Sequence, residues 1–307
     1  MSLAGHRIRI YLFLGVGILE KIENRGIMQN AWRVIDCTNL QGELRYIRGR
    51  ILVCDYALEQ KVEIPLAETA ILLIGLHCNC SAGLLHQCAE YGTCVMTCDW
   101  RCVPVSAMHS WVNVPTRITV RQLSQATMSV PRRKAAWAQI VRAKIRGQAA
   151  CLDLLNKEGG GLLRGLSNTV RSGDVTNREG QAAREYWKRI FPEEEDFHRK
   201  PGSGQDRNAL LDYAYMVLRG FSIRAVLSAG LNPTMGMNHH NGTNYFCLAD
   251  DIIEPFRPAV DYAVSKLSFS DTPNDKAVKK YLIDSVNQQF NGSGHTLSLI
   301  HISEPTR

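Results

Sequence analysis

The hydrophobic pattern of this chain changes period once and does not change back. From Trp32 to Asp99 it is made of short β-rich runs. WRVIDC, ELRYI, RILVCDY and VEIPL are separated by Gly42, Gly49 and the Glu59-Gln60 turn. ETAILLIGL is continuously apolar, as a strand buried on both faces would be. Ser81 is placed to cap a short helix ending at Gly92, and GTCVMTCD returns to strand. Beyond Pro115 apolar residues recur at helical spacing. Pro131 suits a first helical turn, and Trp137, Ile140, Val141, Ile145, Ala149, Leu152 and Leu155 form one stripe that ends at Gly159-Gly160-Gly161. ALLDYAYMVLRGFSIRAVLSAG reads as a helical pair. The expected class is therefore α+β: a small N-terminal β-rich domain over 28–103, a linker over 104–115, and a larger all-α domain over 116–296.

Charge is as uneven as periodicity. Between Arg117 and Lys157 nine Lys/Arg face a single acid, Asp153, so this segment carries +8 and the rest of the +7 chain sums to −1. A concentrated basic strip points to a polyanionic partner, whereas the same charges spread over a helix face would simply be solvated. The ten cysteines do not form paired CxxC knuckles: Cys78 and Cys80 are one residue apart, and Cys94, Cys98 and Cys102 are spaced by four. They are expected to be small hydrophobes, without zinc or disulfides. The apolar run Ile10 to Leu19 is too short to span a bilayer and meets Glu20-Lys21 without a cleavage site. A cytosolic chain with no membrane partner is expected.

The densest chemistry lies in Gly230 to Asp261, GLNPTMGMNHHNGTNYFCLADDIIEPFRPAVD. Gly230, Pro233 and Gly236 mark a structured loop. A helical pattern then starts near Phe246 and carries Asp250, Asp251 and Glu254. At 3.6 residues per turn Asp250 lies about 40° to one side of Glu254 and Asp251 about 60° to the other, so periodicity does not choose between them. Carboxylates crowded this way repel unless a cation sits among them. Pro255 and Pro258 should bend the helix just past the acids. A loop histidine facing helix acids suits a hard divalent metal and phosphate chemistry. Upstream, DVTNREGQAAREYWKRIFP reads as a helix capped by Asp174 or Thr176 and stopped at Pro192. Glu179 sits in its first turn beside Gly180, Ala182 and Ala183, which leave room for close approach. Alone, Glu179 is most simply a carboxylate facing the helix dipole.

These runs together resemble the CRISPR-associated Cas1 family of integrases. The GLxPxxGxxH loop is present as Gly230, Leu231, Pro233, Gly236 and His239, and the D-x-x-E-P-F-R-P helix end as Asp251, Glu254, Pro255, Phe256, Arg257 and Pro258. The E-G-x-A-A run falls on Glu179, Gly180, Ala182 and Ala183, followed by Tyr186 and Trp187. The N-x-L-L-N-Y-x-Y pattern falls on Asn208, Leu210, Leu211, Tyr213 and Tyr215, with Asp212 a departure. The resemblance covers roughly Met28 to His295. It implies that Glu179, His239 and Glu254 are catalytic and hold Mg2+ or Mn2+, the histidine leaning towards Mn2+. Asp251, favoured over Asp250, would join them at the metal, as a ligand or by holding His239 or a metal-bound water, and His240 would be a bystander or phosphate contact.

The same resemblance assigns Arg132, Arg133, Lys134, Arg142, Arg146 and Arg257 to DNA. It implies a metal-dependent DNA endonuclease and integrase that inserts spacer DNA into a CRISPR repeat through attack by a 3′-hydroxyl. It also implies a homodimer working with a dimer of the small Cas2 partner. The WRVID opening and short β-domain look nearest to the type II branch, which accompanies the Cas9 effector. Two other readings stand beside it: an inactive DNA-holding scaffold of the same fold, and a branched-DNA repair nuclease. Residues 1–27 match nothing in the family, and Met28 is a candidate true start; the alternative is a genuine extra strand or helix. The final LSLIHISEPTR, residues 297–307, resembles a translated sequencing adaptor and is set aside with His295 and His301. A C-terminally truncated family member is the expectation.

Overall fold

The structure is a computed structural model that describes residues 33–100, 104–112, 118–191, 197–203 and 206–285. Residues 1–27, Trp32, Cys102, Arg117, the Pro192 helix stop, the polar loop at Glu193–Asp196 and the 297–307 tail, with His295 and His301, lie outside the described residues. The remainder divides into two compact units, with the boundary between Ile118 and Thr119 and the short segment Leu227–Gly230 grouped with the first.

The first unit holds two four-stranded sheets. One has the order β1-β5-β7-β8, with β1 (Arg33–Cys37), β5 (Thr69–Ile74) and β7 (Cys94–Cys98) parallel and β8 (Pro104–Met108) antiparallel at the edge. The other has the order β4-β3-β2-β6, built on the antiparallel meander β2 (Gly42–Ile47), β3 (Arg50–Asp55) and β4 (Gln60–Pro65), with β6 (Cys78–Cys80) parallel to β2. All six residues of β5 are buried, which explains its unbroken apolar run. Helix α1 (Ala82–Glu90), capped by Ser81 accepting from the Leu84 amide at 3.2 Å, supplies the crossover that the parallel β5–β7 pair requires. The core joins Leu44, Ile51, Leu66, Leu72, Leu84 and Val95 with Cys37 and Cys88. Burial pushes the Cys78 thiol up to about 11 and the Cys88 thiol up to about 12, so both stay protonated and apolar. The sequence reading placed Pro104 in a linker; Pro104–Met108 is instead a strand. Its leading proline lacks an amide donor, which an edge strand tolerates.

Every element described from residue 119 onward is helical: the rest of α2 (Ile118–Ala126), then α3 (Val130–Leu154), α4 (Gly160–Asn168), α5 (Arg178–Ile190), α6 (Asp206–Ser228), α7 (Cys247–Ile253), α8 (Arg257–Val264) and α9 (Lys276–Ser285). The expected helical pair at 209–230 is one continuous helix, α6, with Gly220 buried inside it. Helix α3 ends at Leu154, earlier than expected, and Gly159 instead opens α4 with φ 104°. Asp212, the departure from the family pattern, ties down the segment before α6: it pairs with Arg199 and accepts from the Gly202 amide at 2.8 Å. The stripe on α3 is buried at Trp137, Val141, Ile145, Ala149 and Leu152, and α3 packs against α4, α5, α8 and the turn between α7 and α8. Gly147 makes that last contact close. A Cβ there would lie 3.1 Å from Pro258 Cγ and 3.5 Å from the Pro255 carbonyl oxygen.

Candidate functional site

Three segments, one near residue 179 and two flanking α7, converge at the middle of α3. The first is the start of α5. Asn177, at φ 50°, caps it by accepting from the Gly180 amide at 3.1 Å, while the Asp174 carboxylate accepts from the Arg178 and Glu179 amides at 2.9 Å each. The sequence reading offered Asp174 or Thr176 as the cap; Asn177 takes that place and Asp174 supports it. Three carboxylate and amide oxygens thus satisfy the free amides of the first turn and fix where Glu179 begins.

The second segment is the loop 229–246 between α6 and α7. Gln125 of α2 clamps it with both ends of its amide: Nε2 donates to the carbonyls of Asn232 at 2.8 Å and Met235 at 3.1 Å, and Oε1 accepts from the Asn232 amide at 2.8 Å. The loop then folds over Asp251. That carboxylate is fully buried and accepts from the amides of Met237 (2.5 Å), Asn238 (3.1 Å) and His239 (3.2 Å), and its Oδ1 lies 2.6 Å from His239 Nδ1. Gly236 permits the close approach, since a Cβ there would come within 2.4 Å of the His239 carbonyl oxygen and 2.9 Å of Asp251 Oδ2. With Nδ1 held as donor, the outward nitrogen of a neutral His239 is Nε2. The Trp137 ring meets the imidazole edge to face at 5.9 Å. The hydrogen bond to Asp251 raises the His239 pKa; burial opposes this, and the charges of Asp251, Glu254 and Asp250 add to the rise.

Asp250 and Asp251, which periodicity left equivalent, therefore diverge. Asp250 turns to Arg219, with contacts of 2.6 and 2.9 Å, and to Asn244 Nδ2 at 2.7 Å, bracing the far end of the loop. Asp251 faces His239, but as its anchor, with both oxygens already committed.

The third segment is the break after α7. Pro255 interrupts the α-helical pattern, Glu254–Phe256 form a 3-10 turn, and Pro258 sits in the first turn of α8 that follows. The turn directs Glu254 inwards, where its side chain is 5 % exposed. Lys144 of α3 lies between the acids, its Nζ 2.6 Å from Glu179 Oε1 and 2.5 Å from Glu254 Oε2. Arg257 Nε lies 3.2 Å from Glu254 Oε1, and its guanidinium covers the Tyr215 ring at 4.7 Å. Burial alone would push the Glu254 carboxyl up, but Lys144 and Arg257 outweigh it, so the acid titrates below its ordinary value. Burial likewise opposes the charge on Lys144, and Glu254 and Glu179 outweigh it, so its pKa rises.

The geometry thus brings Glu179 and Glu254 to one cation and sets His239 within electrostatic reach of Glu254. Among the described residues no three His, Cys, Asp or Glu side chains already surround a single point as a metal would require. The donor set nevertheless suits a divalent ion. Glu254 Oε2 is buried with no hydrogen-bond donor beyond the Lys144 ammonium 2.5 Å away. His239 has one nitrogen free of Asp251, and Glu179 is partly open at 26 %. A buried carboxylate oxygen balanced by one exchangeable cation, an imidazole and a second carboxylate are chemically a divalent-metal set.

The basic residues separate. Arg132, Lys134 and Arg146 are exposed and Arg133 is half-buried, as a phosphate-binding face needs. Arg142 turns aside to donate to the Val170 carbonyl at 2.5 Å, and Arg257 is engaged with Glu254 and Tyr215, so these two brace the fold around the site. The sequence reading missed Lys144 as a site residue, along with Gln125, Asn177 and the Arg219–Asp250 brace. Lys144 sits among Val141, Ile145 and Gln148, all buried, a setting that appears only once α3 is packed.

Among the described residues no helix is long and apolar enough to cross a membrane. The family model for CRISPR associated protein Cas1 matches residues 39–281. A CRISPR-associated endonuclease Cas1 from Neisseria meningitidis is 33% identical over 267 residues, covering 84% of each chain. A Cas1 protein from Thermotoga maritima has the same fold at a TM-score of 0.69 and 16% identity, covering 84% of this chain and 89% of its own. A casposase bound to integration product superposes at a TM-score of 0.66 with 21% identity, covering 82% and 80%.

Proposed function

The chain belongs to the CRISPR-associated Cas1 family, and from that premise we propose that it is a metal-dependent DNA endonuclease and integrase that inserts spacer DNA into a CRISPR repeat. The observation that carries this reading is the convergence of Glu179 and Glu254 on one ammonium, beside a histidine locked by a buried aspartate. Glu179, Glu254 and His239 Nε2 would hold Mg2+ or Mn2+, which when bound supplies Lewis-acid stabilisation of charge at a phosphate. Asp251 keeps the imidazole in one tautomer and one orientation. Arg257 steadies Glu254 as a carboxylate. Arg132, Arg133, Lys134 and Arg146 engage phosphates and position the duplex without reading its sequence.

No protein nucleophile is required. A DNA 3′-hydroxyl forms the new bond to phosphorus, the bond to the leaving 3′-oxygen breaks, and one phosphodiester replaces another. Water in place of the hydroxyl gives hydrolysis. On the family resemblance we further assign a homodimer, a Cas2 partner dimer and a type II setting with a Cas9 effector.

Purified protein, Mn2+, a prespacer with free 3′ ends and a repeat-leader duplex test the reading. Strand transfer lost in Glu179→Ala and His239→Ala supports it. DNA binding with no transfer by the parent would favour the inactive scaffold. Equal action on arbitrary branched DNA would favour a repair nuclease.

A further inference from the structure

The family reading accounts for both acids and the histidine but not for the cation between them. Lys144 is only 14 % exposed, and its ammonium contacts Glu179 and Glu254 at 2.6 and 2.5 Å. We propose that Lys144 is the resident counter-cation of this site. It holds the two carboxylates together before a divalent ion arrives and is exchanged out when the ion binds, so this one side chain sets metal affinity. The inference rests on the metal reading above.

Glu254 is nearly buried, and a buried carboxylate without a counter-charge is strongly destabilising. Glu179 arrives from a different helix and would repel it. Arg257 answers Glu254 only at Oε1, 3.2 Å away, so two carboxylates still need a second cation between them whether or not metal is present. The ammonium meets that need incompletely. It brings one positive charge to two carboxylates, and Glu254 Oε2 has no second hydrogen-bond donor, so a doubly charged ion at the same point is the fuller match. Exchange requires little of the fold. Lys144 rides on the 25-residue α3, anchored by buried Val141 and Ile145, and its four-carbon stem can swing while the helix stays.

The experiment is an Mn2+ titration of the full chain, by calorimetry and by melting temperature, in the parent, Lys144→Met, Lys144→Arg and His239→Ala. Lys144→Met is expected to melt well below the parent without metal, to recover most of the loss with Mn2+, and to bind Mn2+ about tenfold more tightly, having no internal competitor. Lys144→Arg keeps a cation and is expected to hold the metal-free melting temperature without tightening Mn2+. Unchanged or weaker Mn2+ binding by Lys144→Met overturns the proposal.

Should Lys144→Met fail to fold, the parent itself answers. With 15N-labelled lysine, the ammonium signal missing from Lys144→Arg should shift on adding Mg2+, with the midpoint of a calorimetric Mg2+ titration of the same protein. A signal that Mg2+ does not move overturns the exchange. If the parent binds no Mn2+ in a His239-dependent way, the metal reading falls and takes this proposal with it. If the parent binds but Lys144→Met does not bind more tightly, only the exchange falls.

Discussion

Glu254 and Asp261 stand seven residues apart on the same stretch of chain, and both are buried, yet the structure treats them oppositely. Glu254 has cations for neighbours, Lys144 at 2.5 Å and Arg257 at 3.2 Å, and its carboxyl titrates below the ordinary range. Asp261 takes its hydrogen bonds from two phenols, Tyr186 at 3.0 Å and Tyr215. Burial raises its pKa to about 7, with the two tyrosine hydroxyls only partly offsetting the rise. The lesson is that depth does not decide the charge on a buried acid; the chemistry of its partners does. Charged partners keep an acid ready as a ligand, while neutral donors let it hold a proton and serve the core.

That contrast can be broken by substitution. Glu254→Gln removes a charge from the candidate centre and should lower strand transfer on the order of 100-fold or more. Asp261→Asn should leave transfer largely intact, both measured on a labelled repeat duplex. Equal losses from the two would erase the distinction. Asp251→Asn should follow, with Mn2+ affinity about 10–100-fold weaker, because His239 loses the group that orients it. Calorimetric titration reads that effect.

Acid and base sensitivity sharpen the comparison. The lowered Glu254 pKa contributes stability above its unfolded value near 4.5 that is lost as the pH falls. Asp261 has the opposite sign. Its folded pKa of about 7 exceeds the unfolded 3.8, so the folded state holds the extra proton between these values and stability drops as pH rises through that window. Between pH 5 and pH 7 the loss is on the order of 2 kcal/mol. Denaturant unfolding of Asp261→Asn should show a flatter slope than the parent by about that amount. The smallest effect belongs to Tyr215→Phe. Losing its hydroxyl should cost about 1–2 kcal/mol at pH 8, where Asp261 is charged, and roughly half that at pH 5.

Local patterns that repeat were legible in the sequence. The buried run of β5, the Ser81 cap, the α3 stripe and the proline break after Glu254 each follow from residues close together in the chain. Features without a repeat were not. Strand β6 is three residues long, too short to show alternation, and β8 opens on a proline that reads as punctuation. Periodicity could not tell Asp250 from Asp251, which only the family resemblance favoured, because the deciding force is a loop folding back over one of them, which Gly236 makes possible. Lys144 was counted as one charge in a basic strip. Only the packing of α3 against the α7–α8 turn shows that it points inward while Arg146, two residues on, points out. Arg257 misled for the same reason, since a charge in a motif does not announce which way it faces.

Gly147 sets a mechanical limit on all of this. The proline turn that carries Glu254 leans on bare backbone there, where a Cβ would sit 3.1 Å from Pro258. Even alanine must wedge the two apart by a few tenths of an ångström. A bulkier graft would lever the acid away from its partners without touching any of them. The site's calibration is therefore held partly by a residue with no side chain, one helical turn along α3 from Lys144.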